Sequence, residues 1–275
     1  LTFLVKELDL VEARPVGTPG ETECRIEDAN SEEPLSEADA SRYRALAARA
    51  NYLAADRTDL MYSVKEICWS MATPTVGALK KLKRLGRYLV GNPRLTTQYA
   101  WQGNETVVTG YSDSDWAGCR VTAKSTSGGA IMIGSHFIKG WSRTQNHVTL
   151  SSAEAELIAL VKCTAETLGV CAMLRDWGYE RSSMLYADSS AALAIAKRKG
   201  AGKLRHIHIS ALWIQDIQDR EGTIFQKING MSNPADLMTK YLTREKIDGC
   251  LATMSQKRQT GRAEMGLNMQ SRGTA

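Results

Sequence analysis

Near residue 95 the hydrophobic period of this chain changes, and that change limits the folds open to it. Upstream, apolar residues recur at helical spacing. Downstream, short runs are divided by glycine and asparagine. "LTTQYAW", "TVVTGYSD", "GGAIMIG" and "HFIKGWSR" read as strands, with "GSH" a tight hairpin junction. A long helix follows over about 151–177. "SMLYADS" then reads as a strand, "SAALAIAKRK" and "HIHISALWIQDIQDR" as helices, and "GTIFQKI" as a strand. "NPADLMTKYL" starts a last helix, with Asn233 as cap and Pro234 at its first position. From residue 106 the order is therefore β, β, β, α, β, α, α, β, α, which fits an α/β fold.

The upstream part reads as three helices. Ser36 caps the first, with Asp39 three residues on. Tyr43, Leu46, Ala47, Ala50, Leu53 and Ala54 make its stripe. Leu60, Val64, Ile67, Cys68 and Met71 make the second stripe, and Pro74 sits at the start of the third helix. Lys80, Lys81, Lys83, Arg84 and Arg87 make that third helix basic, as a solvated face or as one that tracks phosphates. Residues 1–35 carry nine acids against three bases, with loop-like "GTPGETE" and "ANSEEP". Disorder is expected there from about 16 to 34. The chain thus divides into 1–35, a three-helix unit at 36–94, an α/β unit at 95–252, and a disordered basic tail at 253–275.

The net charge of +5 is mild, but residues 80–94 hold six bases and 197–205 hold five, with no acid in either. Such clusters suit a polyanionic partner. The six cysteines form no C-x-x-C pair, which argues against zinc and for reduced thiols in an intracellular, cytoplasmic setting. No run approaches the roughly 20 apolar residues of a membrane span, so no membrane partner is expected. "LTFLVKELDL" is too short and acidic for a signal peptide. A start at Leu1 reads as a piece of a longer polypeptide.

Several acids sit where one element gives way to the next. Asp113 ends a strand, Glu154 and Glu156 open the long helix, Asp188 ends "LYADS", and Asp236 opens the last helix. Sites in open α/β sheets gather at such places. Carboxylates converging there repel unless divalent cations neutralise them, and hard oxygen ligands suit Mg²⁺ or Mn²⁺. Two ions about 4 Å apart can clamp the attacking and leaving oxygens of a phosphodiester. The bland alternative stays open on spacing alone, because acids at helix starts are ordinary dipole partners.

Six motifs occur in order: "GYSDSDWAGC", "KSTSGGAIMIG", "SSAEAELIAL", "LYADSSAAL", "RHIHISALWIQD" and "NPADLMTK". Together they closely resemble the ribonuclease H domain of copia-type retrotransposon Pol polyproteins. The upstream helices resemble the region linking reverse transcriptase to that domain. The resemblance implies a ribonuclease H-like mixed five-stranded sheet with flanking helices, preceded by the small three-helix unit. It implies cleavage of the RNA strand of RNA–DNA hybrids with two Mg²⁺ ions. Its four carboxylates fall on Asp113, Glu156, Asp188 and Asp236. It also implies an upstream reverse transcriptase palm domain as partner, and a cytoplasmic setting that includes virus-like particles.

Some points stand apart from the family pattern. Helical periodicity slightly favours Glu154 over Glu156, whereas the family match favours Glu156. Asp115 is expected to be a turn or supporting group. The loop "INGMSN" lacks the histidine that many cellular ribonucleases H carry before the last aspartate. His206 and His208 are read as structural or solvent-facing, and His136 and His147 as belonging to strand edges and loops. Trp116, Trp141 and Tyr186 are expected in the core. Lys197, Arg198, Lys199, Lys203 and Arg205 form the basic patch expected to grip hybrid phosphates. The rival to catalysis is an inactive nucleic-acid-binding or connection module. A polymerase is excluded for this chain, because "YADS" carries one aspartate where a palm needs a pair.

Overall fold

The run "TSGGAIMI" is buried along nearly its whole length, so the sheet it belongs to is covered on both sides. The computed structural model describes residues 2–22, 32–200, 202 and 209–261. Four helices come first: α1 (Thr2–Glu7), α2 (Glu37–Ala54), α3 (Met61–Trp69) and α4 (Val76–Gly91). Then follow β1 (Arg94–Thr97), β2 (Val107–Asp115), β3 (Thr126–Ile133), β4 (His136–Thr144) and α5 (Ser152–Asp176). The chain continues through β5 (Ser182–Ala187), α6 (Ser190–Lys197), α7 (Ile214–Glu221), β6 (Ile224–Lys227), α8 (Arg244–Thr253) and β7 (Gln256–Gln259).

The main sheet has five strands in the order β4-β3-β2-β5-β6. β4, β3 and β2 are antiparallel neighbours, whereas β5 runs parallel to both β2 and β6. The "GSH" junction is a two-residue hairpin between Ile133 and His136, and Gly134 takes the positive φ of +57° that this turn demands. Alternation along β3 sends Ile131 to one core, and Ala130 and Met132 to the other. On the Ile131 side, Leu157 and Leu160 of α5 pack with Leu185, Leu193, Ile214 and Phe225. On the opposite side, α1–α4 pack with Phe137, Leu237, Met238, Ile247 and Leu251. α5 is long and apolar enough to cross a membrane, against the expectation from sequence, but it lies on the sheet as a core helix.

The sequence-based boundary near 94/95 is therefore no boundary in the packing, since one core joins the helical unit to the sheet. Residues 16–22 are not disordered as expected. Gly20 packs against Tyr241 and Ser63, and Arg84 of α4 reaches Thr18 at 3.0 Å and Glu21 at 2.9 Å. Arg87 donates to the Arg14 carbonyl at 2.9 Å, so part of the basic face of α4 holds the N-terminal segment. Residues 23–31 lie outside the described residues. The start of the supposed tail is also ordered: β7 pairs with β1, which stands apart from the main sheet, while 262–275 lie outside the described residues. The last helix is split in two. Asn233 and Pro234 begin a 3₁₀ turn, Pro234–Met238, and α8 begins only at Arg244.

β7 is fastened through a buried polar chain. Arg57 pairs with Asp59 through two bonds of 2.9 and 2.8 Å, and the Tyr88 hydroxyl donates to Asp59 at 2.7 Å. Arg258 of β7 reaches the same hydroxyl at 3.0 Å. Removing one partner of a buried ion pair leaves an uncompensated charge. Asp59→Ala is expected to lower unfolding stability by about 3–5 kcal/mol in a urea titration. An unchanged midpoint would mean that Arg57 finds other compensation.

Candidate active site

Asp113 is placed by strand alternation near the end of β2, on the face toward the helical unit, and is 2% exposed. Its cross-strand partner is Gly128. A Cβ at Gly128 would come within 2.6 Å of Thr239 and 2.8 Å of Met238. Only a glycine lets the Pro234–Met238 turn descend onto β3, and that descent brings Asp236, Thr239 and Lys240 to the site. Asn233 reinforces it, capping the Ala235 N–H at 3.2 Å and donating to the Ser112 carbonyl at 2.9 Å.

Asp188 follows β5, just before Ser189 caps α6 through the Ala192 N–H at 3.2 Å. Glu156 lies in the first turns of α5 and accepts the Ser114 N–H at 3.3 Å. The ligand atoms of Asp113, Glu156 and Asp188 all lie within 4.8 Å of one another. Asp236 is outside this trio but is tied to it through Lys240, whose Nζ lies 3.0 Å from Asp236 and 3.3 Å from Asp113. Thr239 donates its hydroxyl to the same Asp113 oxygen, Oδ2.

Glu154 points elsewhere: its carboxylate accepts the Leu150 N–H at 2.8 Å and braces the entry to α5. Periodicity favoured it over Glu156 because the stripe is uninformative here; Glu154, Ala155, Glu156 and Leu157 are all buried. Asp115 is likewise not in the trio and accepts the Thr126 N–H. Lys197 is exposed at the end of α6, and Lys199 pairs with Asp219 at 3.3 Å. Arg198 is half-buried beside Gly202, while Lys203, Arg205, His206 and His208 lie outside the described residues. His136 sits between Gln102 and the Ala100 carbonyl, and His147 is exposed. Trp141 is in the core as expected and Tyr186 stacks on Tyr111. Trp116 is not in the core: it is 54% exposed, tethered by its indole N–H to the Thr149 carbonyl.

The sequence reading missed Lys240, Thr239 and Gln145. Gln145 Nε2 donates to Ser127 at 2.9 Å and to the Ala155 carbonyl at 2.9 Å, locking the start of α5 to the sheet. For Lys240 a signal existed, its position four residues after Asp236 in a helix-start motif. Thr239 and Gln145 carried none.

Burial pushes the Glu156 carboxyl up to about 9, and the nearby Asp113 and Asp188 add to the shift. Asp188 and Asp236 are raised by burial and by Asp113. Burial also raises Asp115 to about 6. For Lys240, burial alone would lower the pKa, but Asp113 and Asp236 outweigh it and the net shift is upward. Glu156 Oε2 is buried with no hydrogen-bond partner among the described residues. An orphaned carboxylate oxygen facing two further acids fits a hard divalent cation, which would be held by Asp113, Glu156 and Asp188.

The strand order, the mixed strand sense and the helices on both faces define a ribonuclease H-like module, as the sequence resemblance implies. Its curated homologues include retrovirus-related Pol polyproteins from copia-like transposons. The retrovirus-related Pol polyprotein from transposon RE1 of Arabidopsis thaliana is 30% identical over 244 residues, which is 88% of this chain. The chain spans 16% of that relative's length. No family model matches the sequence. Among solved structures, an N-terminal RNase H domain from Mycobacterium tuberculosis is 14% identical with a TM-score of 0.36, covering 54% of this chain and 98% of that one. LC11-RNase H1, solved in complex with an RNA/DNA hybrid, is 17% identical with a TM-score of 0.35, covering 52% and 99%. The fold class rests on the sheet itself.

The raised pKa of Glu156 has a sign that can be measured without metal. Folded Glu156 holds its proton more tightly than the unfolded chain does, so unfolding releases a proton between the two pKa values. Its contribution is complete below the ordinary carboxylate value of 4.5 and is lost as pH rises through about 9. In a chelator, urea stability is expected to fall across that window, and less steeply in Glu156→Gln. Parallel slopes for the two proteins would contradict the assignment.

Proposed function

We propose that this chain is a metal-dependent endoribonuclease that cleaves the RNA strand of RNA–DNA hybrids. In this reading it serves reverse transcription within a Pol polyprotein, beside an upstream reverse transcriptase palm domain. The observation that carries the proposal is the trio Asp113, Glu156 and Asp188, the first two buried and the third half-buried, with Glu156 Oε2 left unpartnered among the described residues. Asp236 stands beside the trio as the fourth carboxylate of the set. When bound there, Mg²⁺ or Mn²⁺ supplies an activated water and stabilises the leaving oxygen, and a pair of ions does both at once.

The chain's own residues do the positioning. Thr239 orients Asp113 through Oδ2, and the Ser114 N–H orients Glu156 through Oε1. Gln145 keeps the first turn of α5 from moving away from β2 and β3. Asp188 is held at the β5–α6 junction by the cap at Ser189. Lys197, Arg198 and Lys199, at the far end of α6 from that junction, would grip hybrid phosphates. The exposed Lys199–Asp219 pair is weak enough to yield to a phosphate. RNA would be chosen through 2′-hydroxyl contacts and an A-like minor groove. In this reading the setting is intracellular and cytoplasmic, as the scattered cysteines of the sequence suggest.

The direct test is incubation with a labelled RNA–DNA hybrid and Mg²⁺, beside Asp188→Asn. Even groups that only support metal ligands are worth about 10–100-fold, so loss of a ligand is expected to cost more than about a hundredfold. Cleavage should fall on the RNA strand alone. Hybrid binding without cleavage, equal in both proteins, would instead support a binding or connection module.

The basic patch is tested by salt dependence. Replacing Lys197, Arg198 and Lys199 with alanine should flatten the log–log salt slope of hybrid binding by about 0.9 for each phosphate no longer neutralised. An unchanged slope would place the hybrid elsewhere on the surface.

A further inference from the structure

Lys240 is the cation placed among the candidate ligands, and its surroundings give it more to do than support the fold. Its Nζ bridges Asp113 Oδ2 at 3.3 Å and Asp236 Oδ1 at 3.0 Å. The two acids come from different layers: Asp113 from the middle of the sheet, Asp236 from the 3₁₀ turn that packs across it. The turn is already secured without the ammonium group. Leu237 and Met238 are buried in the core of the helical unit, Asn233 caps the turn, and Thr239 bonds Asp113. What Lys240 adds is charge. Asp113 has a side chain 2% exposed and Asp236 one 17% exposed, so neither is well screened by water, whereas that of Lys240 is 43% exposed. A side chain lying along the rim in this way can swing its ammonium group into water without disturbing the core.

We propose that Lys240 is a tethered cation of the carboxylate cluster: it holds Asp113 and Asp236 together before a divalent ion arrives, and competes with that ion for them. This inference rests on the metal reading of the site. The competition is electrostatic and local. A divalent ion entering beside Asp113 meets an ammonium group already on one oxygen of that carboxylate, Oδ2, and like charges at that spacing repel strongly in a partly buried site. Lys240 is thus a positioning residue, acting through Asp113 and Asp236. Its replacement should move metal affinity and metal-free stability in opposite directions, which a purely structural lysine would not do.

The test uses the full chain and Mn²⁺ as probe, with binding measured by calorimetry and melting followed in a chelator. Lys240→Gln is expected to bind Mn²⁺ about tenfold tighter than the parent, the scale of one unit charge removed from a partly exposed site. In the chelator it is expected to melt at a lower temperature. Lys240→Arg keeps the charge and should match the parent in both measurements. If Lys240→Gln folds only with metal, its folding followed by circular dichroism should need less Mn²⁺ than that of Lys240→Arg. Tighter binding without lower metal-free stability, or the reverse, overturns the proposal. If the parent binds Mn²⁺ and Lys240→Gln binds it equally or more weakly, this proposal alone falls. If neither protein binds Mn²⁺, the metal reading of the site falls with it.

Discussion

Crowding three carboxylates, two of them buried, into one place works against this fold. Their oxygens come within 4.8 Å of one another at the end of a sheet that is covered on both faces. Ionised acids that close repel, and burial removes the water that would screen them. The surrounding structure answers in three ways. Glu156 is driven toward its protonated form, Lys240 brings a positive charge, and backbone and hydroxyl donors approach where they can. The oxygen left over, Glu156 Oε2, marks where protein groups stop satisfying the cluster. Such unfavourable placement is tolerated where function needs it and the surrounding fold can hold it.

That holding is done from two sides. The trio is framed by the sheet and α5, with Gln145 bridging Ser127 and the first turn of the helix. Asp236 belongs to, and Lys240 closely follows, a turn whose apolar residues, Leu237 and Met238, are buried among residues of α1–α4. The same helical unit is joined to the end of the chain by the chain of groups Arg57, Asp59, Tyr88 and Arg258, which fixes β7 against β1. The helices ahead of the sheet are thus part of the support of the site.

Much of this was legible in the sequence, and the failures have physical causes. The five strands of the sheet, the caps at Ser36 and Asn233 and the acids at the element ends depend on local pattern, and local pattern is what periodicity reads. The choice between Glu154 and Glu156 was not legible from periodicity, since the first turns of α5 are buried nearly all round. Residues 16–22 and 256–259 are polar, and their order comes from partners far away in sequence, such as Tyr241 for Gly20 and Arg94 for Gln259. Trp116 was misplaced because an aromatic residue after a buried strand looks like core. Its indole N–H instead finds the Thr149 carbonyl while the ring stays half exposed. The shared core was hidden because the change of period at residue 95 resembles a domain boundary, while the apolar faces on either side of it are complementary.

The site therefore lies at a seam. Glu156 and Asp188 follow the core between the sheet and α5, and Asp113 belongs to the strand between the two cores. Asp236 and Lys240 follow the core of the helical unit. A small shift of the helical unit against the sheet would move the ammonium group and the fourth carboxylate relative to the trio, while leaving the trio's own spacing intact. Gly128 is a narrow point of the seam, because a methyl group there would strike Thr239 and Met238 together. The close approach that lets the turn reach the sheet is thus also the one that fixes how far Lys240 stands from Asp113.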